Sequence, residues 1–295
     1  MDVELRQMRS VVALADHLHF GRAALALHVS QPALTKQIRK IEEALDGPLF
    51  IRKPRQLALT RAGEVFVTRA RTLLQDAQLA GDLFHSAMRG EAGLLRVGFG
   101  IAALASGLPD LIQGFRSRFP GVQIAMRDMS TPAQLDALEN RTLDVGFVRV
   151  PVSTTQLSAL PLFRDRLVVA IGPNIRSGLR RGLEFFARSP FIVVARSAST
   201  SLYDHIIRTC RAAGFTPRIA QEAGELFTAL NFVRAGAGIA LVPNSSKVLK
   251  VPHVRYVETG VPSAVFDIGL AFHKSSTADP IVNNFLSVVR QTYRS

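Results

Sequence analysis

The chain of 295 residues has one cysteine, Cys210. A lone thiol excludes an internal disulfide and argues against a cysteine-cluster metal site or a two-cysteine redox switch. Cys210 sits in a helical pattern and reads as a small buried apolar residue rather than a reactive thiol. No apolar run is long enough to span a bilayer. The opening stretch, MDVELRQMRS, carries two acids and no apolar core, so no secretory signal is expected and the chain is placed in the cytoplasm, away from membranes. Catalytic signatures are also missing. There is no Gly-Lys-Ser/Thr phosphate loop, no HExxH and no GxSxG. His17 and His19 lie two apart on one helix, which does not put them on one face for a metal, and they read as a surface or interface pair. Asp128 and Asp144 stand alone and read as structural. No metal, cofactor or enzymatic activity is expected.

What is present is enough apolar residue, 47%, to build cores, in a chain long enough for two or three domains. The net charge is +13, which suits an anionic partner. Residues 1–90 hold 13 Lys and Arg against 9 Asp and Glu, so the excess is spread along the chain and local placement matters more.

The stretch Ser30 to Leu45 organises the N-terminal part. Ser30 is a good N-cap and Pro32 suits a first helical turn. Leu34, Ile38, Ile41 and Leu45 recur at helical spacing, while Gln31, Thr35, Lys36, Arg39 and Lys40 take the other face. Those polar side chains can reach base edges or phosphates. Asp46-Gly47-Pro48 stops the helix. A first helix is predicted over residues 3–18 and a second from Phe20 to about Leu27, with Gly21 as its cap. Three such helices make a helix-turn-helix with an added first helix. Two short extended runs follow, flanking a basic turn at Pro54, and read as a wing. Arg52 and Lys53 are candidates for phosphate contact and Arg55 for the minor groove.

Thr60 caps the next predicted helix, which runs to about Arg89. Phe66, Ala70, Leu73, Ala77, Ala80, Phe84 and Ala87 alternate at spacings of four and three, the pattern of a coiled-coil seam. Phe66, Leu73 and Phe84 are its large members and candidate dimer contacts; a dimer would offer two reading helices to a two-fold DNA site.

These residues carry a resemblance. Phe20, Ala23-Ala24, the run Val29 to Thr35, Gln37-Ile38, Glu42, Leu49-Phe50, Arg52, Leu59-Thr60 and Ala62-Gly63 together resemble the N-terminal part of LysR-type transcriptional regulators. The resemblance implies a multidomain α+β chain: a winged helix-turn-helix (residues 1–60), a linker dimerisation helix (61–90) and a bilobal α/β effector domain like a periplasmic binding protein (91–295). Lobe I would comprise residues 91–162 and 267–295, and lobe II 163–266. Gln31, Pro32, Ala33, Thr35 and Lys36 match positions where relatives contact bases or backbone, and Arg55 the wing position. The implied partners are double-stranded DNA, a small effector, RNA polymerase and further copies of the chain, as a homodimer or a homotetramer of paired dimers.

Past a hinge at Glu91-Ala92-Gly93 the pattern alternates strands and helices, which predicts a mostly parallel sheet covered on both faces, with chain crossings near Phe163 and Phe266. Predicted helices include Arg181 to Ala187. Ligands in open α/β sheets sit beyond the carboxyl ends of strands. That rule selects Ile101, Ala102 and Ala103, Ser130 and Thr131, Arg149, and a segment of lobe II holding Arg196, Thr200, Ser201 and Leu202. Hydroxyls, helix N-termini and arginines together favour a carboxylate. Ser199-Thr200-Ser201 is equally read as a plain helix cap, and Arg149 as half of a structural ion pair. Segments Arg127 to Gln134 and Val145 to Arg149 resemble those of regulators of aromatic-compound catabolism, which suggests an aromatic or dicarboxylic acid effector. Ala102 departs from the hydroxyl residue that muconate- or benzoate-binding relatives often carry and makes that side of the pocket more apolar. The rival readings are a solute-binding protein or enzyme on the same bilobal fold, and a repressor with no effector.

Overall fold

The computed structural model describes residues 3–53, 56–175 and 182–293. The chain divides into two compact units, residues 1–86 and 87–295.

The first unit opens with α1 (Leu5–His17), α2 (Phe20–Ala26) and α3 (Gln31–Ala44). Helix α2 begins at Phe20 because the His19 ring accepts the Gly21 and Arg22 backbone N–H groups at Nδ1, 3.1 and 3.3 Å away. His19, not Gly21, is therefore the cap, and its ring is committed to that role rather than to a pair with His17. Helix α3 starts as predicted, with Ser30 Oγ accepting from Ala33 N at 3.3 Å. Leu34, Ile38 and Ile41 are fully buried against Val11, Leu14, Ala23 and Ala24. Each such side chain removed from water stabilises by about 1.5–3 kcal/mol. That burial decides which side of α3 remains outside. Ser10 Oγ also donates to Gln37 Oε1 at 2.5 Å, which pins the helix's rotation.

Strands β1 (Phe50–Lys53) and β2 (Gln56–Leu59) form an antiparallel pair with Phe50 opposite Leu59 and Lys53 opposite Gln56. Pro54 and Arg55, and with them the expected minor-groove contact, lie outside the described residues. Glu42 ties this hairpin to α3. Its Oε1 accepts the Leu49 and Phe50 N–H groups at 2.9 and 3.1 Å, and its Oε2 lies 3.7 Å from Arg52 Nη2. The Arg52 guanidinium also lies over the Phe20 ring, 5.3 Å from its centre. Helix α4 (Arg61–Met88) follows, with Thr60 Oγ1 accepting from Gly63 N at 2.8 Å.

The second unit holds β3 (Ala92–Phe99), α5 (Ile101–Ala105), α6 (Leu108–Arg118), β4 (Gly121–Asp128), α7 (Thr131–Glu139) and β5 (Val145–Val150). Then come β6 (Leu157–Ile171), β7 (Pro190–Val194), α8 (Thr200–Ala212), β8 (Arg218–Ala223), α9 (Leu226–Arg234) and β9 (Ile239–Pro243). It ends with β10 (Arg255–Glu258), β11 (Val265–His273) and α10 (Pro280–Thr292). The helix expected from Arg181 to Ala187 is a 3-10 turn over Leu183–Phe186; Arg181 itself lies outside the described residues.

The strands run in the order β4-β3-β5-β11-β6-β9-β7-β8, with β10 beside β6. The sheet is not mostly parallel. β3, β4 and β5 form one parallel triplet and β7, β8 and β9 another, but every pairing made by β6 and β11 is antiparallel. These two long strands join the lobes. β6 pairs with β11 along Leu157–Arg166 and then with β9 from Leu167 onward. A register shift at Ile268/Gly269 marks the crossing, close to Phe163. Sequence patterning misses the antiparallel pairing of β6 with β9 because both faces of that part of β6 are buried. Along Leu167–Ile171 the odd residues enter one core and the even residues the opposite one. The result is a continuous apolar run that looks like any parallel strand.

Removing the Glu42 carboxylate leaves two backbone N–H groups without an acceptor. Glu42→Ala should cost the N-terminal unit about 1–3 kcal/mol and speed hydrogen exchange at the Leu49 and Phe50 amides. Unchanged exchange at those two amides would show that the hairpin does not depend on this contact.

Candidate functional site

Two surfaces hold the side chains that sequence patterning singles out. The first is the outer face of α3. Gln31, Pro32, Lys36, Arg39 and Lys40 are exposed, and Ala33 and Thr35 are half-buried. Thr35 Oγ1 donates to Gln31 O at 2.9 Å, so its hydroxyl oxygen keeps its acceptor capacity. Gln31, Thr35, Lys36, Arg39 and Lys40 form one continuous strip with three positive charges, opposite the buried Leu34–Ile38–Ile41 face. Arg52 has 42% of its side chain exposed but is already engaged by Glu42 and Phe20. Beyond Ala70, α4 buries nothing large within its own unit. Leu73 is 42% and Phe84 62% exposed, and Leu79, Leu83 and Met88 are exposed beside them.

The second is a cavity of about 680 Å³ between the two lobes. The carboxyl ends of both parallel triplets converge on it. Lobe I contributes Gly100, Ile101, Ala102 and Ala103 after β3, Asp128 to Thr131 after β4, and Gln134, Phe147 and Arg149. Lobe II contributes Val194, Ser201 and Leu202 around β7 and α8, Gly224 to Phe227 after β8, and Pro243 after β9. Phe266 and Ile268, on the crossing strand, form part of the wall.

Arg149 is the one cation on this wall among the described residues. Its Nη1 is sealed from solvent and has no hydrogen-bond partner, and among the described residues the guanidinium makes no ion pair. The charged group lies instead over the Phe266 ring, 4.0 Å from its centre. His205 meets the same ring edge-on at 5.4 Å. Burial pulls the Arg149 pKa down to about 10, against the attraction of Asp165. Ring contact offsets only part of the cost of drying a guanidinium. Two more polar atoms on the wall lack partners, Ser201 Oγ and Gln134 Oε1. Gln134 is buried, donates through Nε2 to Met129 O at 2.9 Å, and lies flat over β3 and β5. A Cβ at Gly98 or Gly146 would come within 2.9 or 2.8 Å of Gln134 Oε1, so a larger residue at either place would displace the Gln134 amide.

The lobe II residues named from sequence fall into two groups. Ser201 and Leu202 line the cavity; Arg196 and Thr200 do not. Arg196 forms an exposed ion pair with Asp204, Nε to Oδ1 at 3.1 Å, and Thr200 Oγ1 donates to Arg196 O at 3.2 Å. Ser199 is the residue that precedes α8, and its side chain makes no capping bond. Asp144 is structural, accepting from Arg96 N at 2.7 Å. Asp128, read from sequence as structural, is exposed and lines the cavity. Cys210 is fully buried and its thiol is pushed up to about 12 by that burial, as fits an inert core residue. Glu225, Phe227 and Pro243 were missed, although the rule of strand ends points to them once applied to β8 and β9. Phe266 had no such signal, because it lies on an antiparallel strand.

A winged helix-turn-helix unit joined to a bilobal α/β ligand domain defines a DNA-binding transcriptional regulator with an effector-binding domain. The chain belongs to the LysR family. Residues 5–64 match the bacterial regulatory helix-turn-helix of that family and residues 88–294 its substrate-binding domain. It is 33% identical over 297 residues to the uncharacterized regulator YnfL of Escherichia coli, covering 97% of each chain. It is 32% identical over 288 residues to the regulator AlsR of Bacillus subtilis, covering 97% of this chain and 95% of AlsR. It is also similar to full-length CbnR solved in complex with its target DNA, with a TM-score of 0.82 and 27% identity, covering 99% of this chain and all of that one. No described helix is long and apolar enough to cross a membrane.

An unpaired, desolvated cation destabilises the ligand-free state. Arg149→Met should therefore raise the stability of the ligand-free protein by about 1–2 kcal/mol, read as a higher melting temperature. A lower one would mean that Arg149 has a structural partner.

Proposed function

We propose that the chain is a cytoplasmic regulator whose affinity for operator DNA is set by a small anionic effector held between the lobes. The exposed strip on α3 carries the DNA half of this reading. Gln31 and Thr35 suit base edges, Lys36 and Arg39 suit phosphates or guanine, and Pro32 and Ala33 bring the helix start close to the duplex. Lys53 and Arg55 are kept as DNA contacts from the sequence alone, with Arg52 acting chiefly to hold the hairpin in place. CbnR, whose structure contains target DNA, is similar to this chain over nearly its whole length, which supports a DNA partner for this chain.

The apolar side of α4 supports assembly. Leu73 and Phe84 leave large side chains in water, a cost that a second copy of the helix removes; Phe66, half-buried, sits at the near end. We propose a dimer through this helix, further paired as a tetramer, so that two reading helices meet a two-fold DNA site. The effector acts by binding one arrangement of the assembly better than another, and contact with RNA polymerase follows from how the assembly sits on the promoter. For the effector, Arg149 carries the reading: a carboxylate is the ligand that relieves an unpaired buried guanidinium. Ile101, Ala102, Ala103, Ser130, Thr131, Ser201 and Leu202 supply the rest of the walls. Arg196 and Thr200 are left out of the proposed site.

Mobility shift on the DNA upstream of its own gene tests the strip. Gln31→Ala should weaken binding by about 1–3 kcal/mol. Lys36→Ala should weaken it at all sequences and lower the salt slope by roughly one. Wild-type affinity in both variants would remove α3 as the reading helix. For the linker, Leu73→Asp with Phe84→Asp should give a monomer by light scattering; an intact oligomer would locate the interface elsewhere.

A further inference from the structure

We infer that the interlobe cavity selects a monocarboxylic acid with an uncharged body and rejects dicarboxylates of the same size. This rests on the effector reading above and narrows it.

The argument is a count of charge on the cavity wall. Arg149 is its one cation among the described residues. Arg196, the other arginine named from sequence for the effector site, supplies no second cation for a dicarboxylate: its guanidinium is bound to Asp204 and lies off the cavity. The other charged residues on the wall are acids. Asp128 closes β4 in lobe I and Glu225 precedes α9 in lobe II. Neither carboxylate is in an ion pair among the described residues, and both side chains are on the exposed rim. The wall is thus positive at one buried point and negative at the mouth from both lobes.

The remaining lining carries no charge: it is small or apolar apart from the Ser130, Thr131, Ser199 and Ser201 hydroxyls and the Gln134 amide. Ala102, Phe147, Val194 and Leu202 are buried and offer no hydrogen bond from their side chains. Ser201 Oγ is a second partnerless group for the same carboxylate head. The overall charge of +13 draws any anion toward the protein, so it cannot tell one carboxylate from two. Discrimination falls to the wall, where a second negative group finds apolar or neutral polar side chains or a like charge, and no second cation to offset its lost hydration.

The test uses the full chain and matched acids in thermal shift and calorimetric titration: benzoate against terephthalate and benzamide, and hexanoate against adipate and hexanamide. At least one monocarboxylate is expected to bind, with its dicarboxylate partner and its amide each weaker by about tenfold or more. Arg149→Met should abolish the response to the acid, while its melting transition without ligand shows that it folds. Asp128→Asn with Glu225→Gln should restore binding of the matching dicarboxylate. Equal or tighter binding of a dicarboxylate by the unaltered chain, lost in Arg149→Met, would overturn the monocarboxylate assignment and leave the anionic-effector reading standing. Amides binding as well as the acids, or no binding by any of the six compounds, would overturn both, and the mobility shift would still report on DNA binding separately.

Discussion

A buried guanidinium with no direct ion pair among the described residues, placed where two long strands pass between lobes, is the constraint around which the C-terminal unit makes sense. Arg149 ends a strand of the first parallel triplet and lies on Phe266, which belongs to the crossing strand β11. The antiparallel pair β6 and β11 brings the two triplets together with their carboxyl ends facing one cavity, so a charge at that junction faces both lobes. Burial depresses its pKa but leaves it charged near neutral pH. The ligand-free protein therefore carries a free-energy cost that an anion removes. A site of this kind is less stable empty than an apolar one would be, and that difference is available to a ligand.

The N-terminal unit uses a different device, a helix with a committed inner face. Leu34, Ile38 and Ile41 fix α3 against the two preceding helices, and Ser10 with Gln37 fixes its rotation. Glu42, at the far end of the same helix, holds the hairpin by two backbone bonds and through Arg52, which also lies on Phe20. Helix, hairpin and α2 thus share one polar clamp. The strip of Gln31, Lys36 and Arg39 stays free of it and keeps its side chains in solvent.

Much of this was legible in the sequence because it is local. The start of α3 follows from one serine and one proline, and its inner face from three aliphatic residues at helical spacing. The parallel strands and their ends follow from short apolar runs bounded by glycine and polar residues. What patterning could not reach depends on contacts far apart in the chain. The antiparallel pairing of β6 with β9 is invisible because residues 167–171 are buried on both faces. Phe266 under Arg149 is separated from it by more than a hundred residues. His19 as a cap has no local signal because histidine is an unusual acceptor at that position, and the pairing of Arg196 with Asp204, about one turn into the helix that follows it, is not read from strand ends.

The most direct measurement is a crystal structure of the full chain with benzoate bound. A carboxylate within hydrogen-bond distance of Arg149 Nη1 and Ser201 Oγ, with its ring toward Phe147 and Leu202, is the result expected. A bound carboxylate held by other residues, with Arg149 still resting on Phe266 and unpaired, would contradict the role given to this cation.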